Sequence, residues 1–326
     1  MAQPVAELVE RGDLDGLTRA VGLLCEARDW DGLVELRDRC RAALQRGKQL
    51  WAAAAYAEYR AALEAPARWA SRMVEPGAGR FALGPLTEVV ASTHDWDELA
   101  PYLTPGPMAT MTAHERVVRG EDLRGRPGID GSVLELPLVL QPWEPAYPLA
   151  EYRSDEAHFP APSLPPLHPV SLPGRPRRLE DRDACDALVE LAAAWTTESN
   201  GRAEAVAVEG EGRAAVAALG PGRARMAEIS LQDALAHLAW TGASGGAHGR
   251  RRGMATGRFA SWWAVAAMAG LLDRWPLPGS ALGAAAAALR WFAWDAGEPK
   301  TGWSLHLSAE DPRRGVAWAV SATDAA

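Results

Sequence analysis

Residues 303–320, WSLHLSAEDPRRGVAWAV, decide the fold class of the C-terminal half. Trp303, Leu305 and Leu307 alternate with polar neighbours, and after Asp311-Pro312-Arg313-Arg314-Gly315 the alternation resumes with Val316, Trp318 and Val320. A period of two puts these apolar residues on one face of an extended strand, and Asp, Pro and Gly are what a tight reversal requires. The spacing predicts an antiparallel hairpin with one face turned to a core.

Upstream, a second hairpin is expected from the small-to-apolar runs Arg202–Val208 and Arg213–Leu219, separated by Glu209-Gly210-Glu211-Gly212. Between the hairpins the pattern is helical. Leu188 to Trp195 continue a helix expected to begin near Leu179, and Ser230 with Asp233 three residues on forms a capping box for a helix over Leu231–Trp240. Further helices are expected over Phe259–Trp275, ended by Pro276, and over Ser280–Trp294. Two hairpins around helices predict an antiparallel sheet with helices on one face, spanning residues 180–326. Nine of the 14 tryptophans fall between Trp195 and Trp318, so this part holds the larger aromatic core.

Residues 1–124 read as helix after helix, giving an α+β protein that is mainly helical. Asp-X-Asp-X-Leu recurs from Asp13, Asp29 and Asp95, and an Asp before an apolar-periodic run caps a helix by accepting orphan N–H groups of the first turn. Leu33, Leu36 and Cys40 share one helical face; Trp51, Ala55, Tyr59 and Leu63 share another. Either the helices pair as an irregular, repeat-like solenoid or the three caps are independent. His114-Glu115 begins like a zinc-protease helix without the second histidine, so no metal site is expected. Residues 125–179 hold 12 of the 24 prolines, which exclude a long helix or central strand. They are expected to form a partly docked connector, with Trp143, Tyr147 and Tyr152 as its anchors and a looser tether from about Pro160 to Arg178.

Composition narrows the function. The net charge is −8, and neither residues 1–124 nor residues 180–326 carry a positive excess, which argues against general nucleic-acid binding. There are 32 arginines against two lysines, a skew that GC-rich codons produce without function. Three cysteines are too few for a disulfide framework, and the opening MAQPVAELVERGD has no export signal, so a cytoplasmic protein is expected. The longest uncharged apolar run, Phe259–Leu272, is 14 residues and too short for a bilayer-spanning helix.

One local anomaly remains. Thr241–Trp263, TGASGGAHGRRRGMATGRFASWW, carries six glycines, one histidine and four arginines, and no Asp or Glu occurs between Asp233 and Asp273. As an anion site, glycine N–H groups and Arg250, Arg251, Arg252 and Arg258 would hold a phosphate or carboxylate, with Ser244, His248 and Trp262 beside them. As a structural element, Gly245, Gly249, Gly253, Gly257 and Ser261 would form a smooth helical groove; as a mobile loop, the arginines would merely solvate it. No Walker or Rossmann spacing is present, and no cofactor is expected. The expectation is a non-enzymatic binding or scaffold protein that contacts an anionic ligand or acidic protein surface through this segment. The alternative is an enzyme acting on a phosphorylated or acidic substrate, with His248 as acid or base. Trp291, Trp294 and Trp303 are candidates to stack on a ligand ring, with core packing as their other role.

Overall fold

A computed structural model describes residues 5–80, 82–297 and 302–325, so Met1 to Pro4 of the opening stretch read above lie outside it. Within these residues the chain divides into two compact units. The first comprises residues 1–117, 125–133 and 150–159, and the second residues 118–124, 134–149 and 160–326.

Unit 1 is built from α1 (Val5–Arg11), α2 (Leu14–Glu26), α3 (Trp30–Leu44), α4 (Trp51–Glu64), α5 (Ala67–Ala70), α6 (Leu86–Thr93), α7 (Trp96–Leu99) and α8 (Pro107–Val117), with a small ladder of β1 (Glu151–Tyr152) and β2 (Ala157–His158). The three aspartates act as the sequence predicts: Asp13 accepts from Gly16 N–H, Asp29 from Gly32 N–H, and Asp95 forms a full capping box with Glu98. They open helices of 13, 15 and 4 residues, so the third copy starts a single turn. Leu33, Leu36 and Cys40 are fully buried. On α4 the face of Ala55, Tyr59 and Leu63 is buried, whereas Trp51 at its start is 38% exposed. The connector anchor Tyr152 donates its hydroxyl to the buried Glu88 at 2.6 Å.

Unit 2 carries a seven-stranded antiparallel sheet in the order β3 (His168–Val170), β6 (Ala224–Ile229), β7 (Arg290–Asp295), β8 (Gly302–Asp311), β9 (Val316–Ala325), β5 (Arg202–Glu209), β4 (Arg178–Leu179). The opening hairpin forms with Trp303 opposite Asp324 and Asp311 opposite Val316. Asp311 makes its turn by accepting from Arg313 N–H at 2.9 Å, while Gly315 takes a positive φ of 64°. Most helices of the unit, α9 (Arg182–Glu190), α10 (Ala193–Thr197), α12 (Leu231–Ala243), α13 (Met254–Met268) and α14 (Gly279–Ala287), gather with one sheet face around Trp318, Leu305 and Val320.

Three local expectations are corrected. Residues 212–219 are not the second arm of a hairpin but α11 (Gly212–Leu219), which packs on the opposite sheet face against Val206, Val208 and Trp294. Its Arg-Ala-Ala-Val-Ala-Ala-Leu run favours helix intrinsically, and Gly220 closes it in the left-handed conformation. The helix expected through Trp294 stops at Ala287, and Arg290–Asp295 is β7, with Trp291 and Ala293 on one face and Phe292 and Trp294 on the other. A continuous apolar run has no period to read, and its aromatic tail favours strand. The helix expected near Leu179 begins at Arg182 behind the cap Asp181, because Leu179 pairs with Ala207 in the sheet.

Residues 160–178 are less tether-like than their prolines imply. Leu164 and Leu167 pack on the core, and His168 to Val170 pair with Met226 to Ala224.

Candidate functional site

The glycine and arginine segment does not act as one piece. α12 ends at Ala243, Ser244 to Gly253 form a loop, and α13 starts behind Gly253, whose φ is 93°. The helical groove expected over Gly245–Ser261 is therefore confined to its end. There Gly257 faces α12 so closely that an added Cβ would lie 2.0 Å from the Ala239 carbonyl oxygen. The loop folds back on itself, and a Cβ on Gly245 would meet the Gly249 carbonyl oxygen at 2.2 Å.

Of the residues singled out there, Arg258 and Trp262 converge, and they do so in the interior. Glu144 Oε1 accepts from Arg258 Nε at 2.7 Å, from the Tyr147 hydroxyl at 2.7 Å and from Trp262 Nε1 at 2.9 Å; Oε2 accepts from Arg258 Nη2 at 2.9 Å and Gln141 N–H at 2.8 Å. Arg258 also donates from Nη1 to the Pro137 carbonyl and from Nη2 to the Val139 carbonyl. Both charged side chains are 0% exposed. Burial pushes the Glu144 carboxyl up, but the Arg258 hydrogen bonds and charge outweigh it and leave it below the ordinary carboxylate value. Burial, then the Glu144 charge, push Tyr147 well above the usual phenol value. Arg258 is thus a structural cation whose anion is internal.

The loop residues have other partners. Ser244 is buried and its Oγ accepts from Gly246 N–H at 2.9 Å. His248, Arg250 and Arg252 are exposed and Arg251 is half-buried. Glu198 reaches the loop, accepting from Arg250 N–H at 2.9 Å and lying 3.7 Å from the Arg252 guanidinium. Asp324 reaches it too, accepting from Ala247 N–H at 2.6 Å. The stretch without acids in sequence meets three in space: Glu144 and Glu198 face its Arg258 and Arg252 guanidinium groups, and Asp324 accepts from its backbone.

A cavity of about 350 Å³ opens in unit 2 where β7 and β8 part, beyond the pairing of Ala293 with Leu307. Leu164, Leu167 and Leu305 supply apolar wall, His237 and Trp240 reach it from α12, and Trp294, Trp303, His306, Asp295 and Asp324 reach it from the sheet. Trp240 and Trp303 stack at 4.8 Å, and Trp195 meets both edge-on at 6.1 and 6.4 Å. On the other sheet face His306 stacks on Trp294 at 4.6 Å.

The two carboxylates differ. Asp295 holds Arg225 in a two-pronged pair at 2.8 and 2.7 Å, and that guanidinium keeps its carboxyl below the usual range. Asp324 is 1% exposed and accepts from the Ser199 hydroxyl at 2.9 Å as well as from Ala247 N–H. Among the described residues lining the cavity there is no arginine or lysine.

A model of the family of unknown function DUF6183 matches residues 15–326. The chain belongs to that family. No curated protein and no solved structure matches it. In this DUF6183 chain, Trp294 and Trp303 line the cavity while Trp291, the third tryptophan singled out, is 2% exposed in the core. Sequence reasoning missed His306, Asp295, Asp324 and Trp240 as neighbours. For Asp324 a signal existed: counting back across the Asp311–Gly315 turn in register places it opposite Trp303.

Proposed function

We propose that this chain is a binding protein whose ligand is a small organic molecule held in the cavity of unit 2. The observation that carries the reading is the gathering of Trp240, Trp294 and Trp303 with a nearly inaccessible carboxylate, Asp324, around one cavity of about 350 Å³. Small-molecule sites are concave, mostly apolar, of roughly 300–1,000 Å³, and carry a few placed polar groups. A cytoplasmic setting fits the unbridged thiols of Cys25, Cys40 and Cys185, each pushed up to about 11 by burial.

The test is a thermal-shift and tryptophan-fluorescence screen of the full chain against a library of small neutral, cationic and anionic metabolites. Hits should be lost in Leu164→Trp, which fills the cavity without removing a stacked indole, and kept in Arg252→Ala. A library without hits, or hits indifferent to Leu164→Trp, would sink the proposal.

A second reading assigns the loop of residues 244–253 to an anionic ligand or acidic protein surface. It is favoured by the exposure of His248, Arg250 and Arg252 on one short loop.

A further inference from the structure

We infer that the ligand of this cavity is an organic cation, an alkylated ammonium whose charge lies against the indole of Trp303 and the carboxylate of Asp324. This rests on the proposed binding role of the cavity and names the chemistry it selects.

The first ground is an imbalance among buried acids. Four acidic residues of unit 2 are buried: Glu144, Glu310, Asp311 and Asp324. Three have a cation: Glu144 has Arg258 at 2.7 Å, Glu310 has Arg290 at 2.7 Å, and Asp311 has Arg313 at 3.8 Å. Asp324 alone is held, among the described residues, by uncharged donors, the Ser199 hydroxyl and the Ala247 N–H. A carboxylate taken out of water is costly unless a positive charge faces it. The fold places this one at the wall of a cavity, where an incoming cation can supply that charge.

The second ground is the wall itself. Indole faces are negative at their centres and attract cations, most strongly where water is excluded. Cross-strand pairing sets Trp303 opposite Asp324, so a ring and a carboxylate rise side by side from β8 and β9, with Trp240 stacked behind the ring at 4.8 Å. An anionic ligand would meet Asp295 and Asp324 with no described arginine or lysine in the wall.

The third ground selects the kind of cation. Both oxygens of Asp324 already accept a hydrogen bond, Oδ1 from Ser199 and Oδ2 from Ala247. The carboxylate keeps acceptor capacity on both oxygens, so the kind of cation is set by the rest of the wall, which is largely indole and leucine. An ammonium whose protons are replaced by alkyl groups needs no acceptors, and its methyl groups suit the indoles and Leu164, Leu167 and Leu305.

The experiment is calorimetric titration of the full chain with choline and with its uncharged isostere 3,3-dimethylbutan-1-ol, repeated on Asp324→Asn and Leu164→Trp. Benzyltrimethylammonium serves as a larger charged probe. Wild type should bind a trimethylammonium probe at least tenfold more tightly than the isostere takes. Asp324→Asn should lose at least tenfold for the charged probe with little change for the isostere, and Leu164→Trp should lose all binding. The wild-type comparison stands even where Asp324→Asn fails to fold. Equal binding of choline and its isostere overturns the inference and leaves the binding cavity intact. So does failure of both charged probes when a neutral or anionic library compound binds in a manner that Leu164→Trp abolishes. Failure of every compound overturns the inference and the binding role together.

Discussion

Replacing Arg258 by methionine separates the two roles that this residue has been given, ligand clamp and internal counter-ion. The substitution keeps the unbranched stem but removes the guanidinium, leaving Glu144 with neutral donors from Tyr147, Trp262 and Gln141 in a site where it is 0% exposed. It also strips a donor from each of the Pro137 and Val139 carbonyls, which are only part-buried and regain water more easily. Breaking a buried ion pair from one side costs about 3–5 kcal/mol, because the surviving charge is stranded. For a unit of this size each kcal/mol is worth about 2–4 °C, so the midpoint should fall by roughly 10 °C. The double variant Arg258→Met with Glu144→Leu should cost less than the sum of its singles, since both charges then leave together. Acid adds an independent reading. Glu144 lies below its ordinary value of 4.5 in the fold, so its contribution is complete above that pH and is lost as pH falls through the folded value. Wild type should therefore lose stability more steeply below pH 4.5 than Glu144→Gln. Urea unfolding followed by tryptophan fluorescence across pH measures both. A cost for Arg258→Met below about 1 kcal/mol, or an unchanged midpoint with loss of anion binding, would refute the counter-ion assignment.

Further outcomes follow from local geometry. Gly257→Ala should destabilise by about 1–3 kcal/mol, because its Cβ would meet the Ala239 carbonyl across the α12–α13 contact. Gly22→Ala, mid-helix in α2 with open space around it, should stabilise by about 0.5–1 kcal/mol; like signs in thermal melts would contradict both assignments. Asp29→Ala should cost about 1 kcal/mol and Asp29→Ser much less, since serine can still accept from Gly32 N–H; equal costs would deny the cap. Sulfate should raise the melting point of wild type and of the Arg250→Ala, Arg252→Ala variant equally if Glu198 already serves the loop, and an excess in wild type would restore the anion reading.

What was legible in the sequence was what acts locally. The Asp13, Asp29 and Asp95 caps work through N–H groups three residues away, and the β8–β9 hairpin declares itself by alternation and a turn-forming Asp and Gly. Residues 212–219 and 290–295 were misread because alanine-rich or continuously apolar runs carry no period, which leaves intrinsic propensity, helical in the first and strand-like in the aromatic second, as the one local signal. The glycine and arginine segment misled for a related reason. Distance from acids along the chain says nothing about distance in space, and Glu144, Glu198 and Asp324 arrive from remote segments. The cavity was illegible as a constellation because its lining comes from α12, β7, β8, β9 and residues 161–167, which lie far apart in sequence.

The strand order also bears on how the chain reaches its folded state. β9 lies between β8 and β5, so the sheet closes only by joining a local hairpin to a strand made far earlier, while β6 waits for β7 across the intervening helices α12, α13 and α14. Pairings of such long sequence separation form slowly, since loop entropy is lost before contacts reward it. Until residues 316–325 have left the ribosome, β5 presents an unpaired edge with Val206 and Val208 upon it, a template for the wrong neighbour. Nascent chains of this protein should therefore depend on holding chaperones more than their helical content suggests, and the cavity, whose Trp303 and Asp324 stand on the closing hairpin, is among the last features to be assembled.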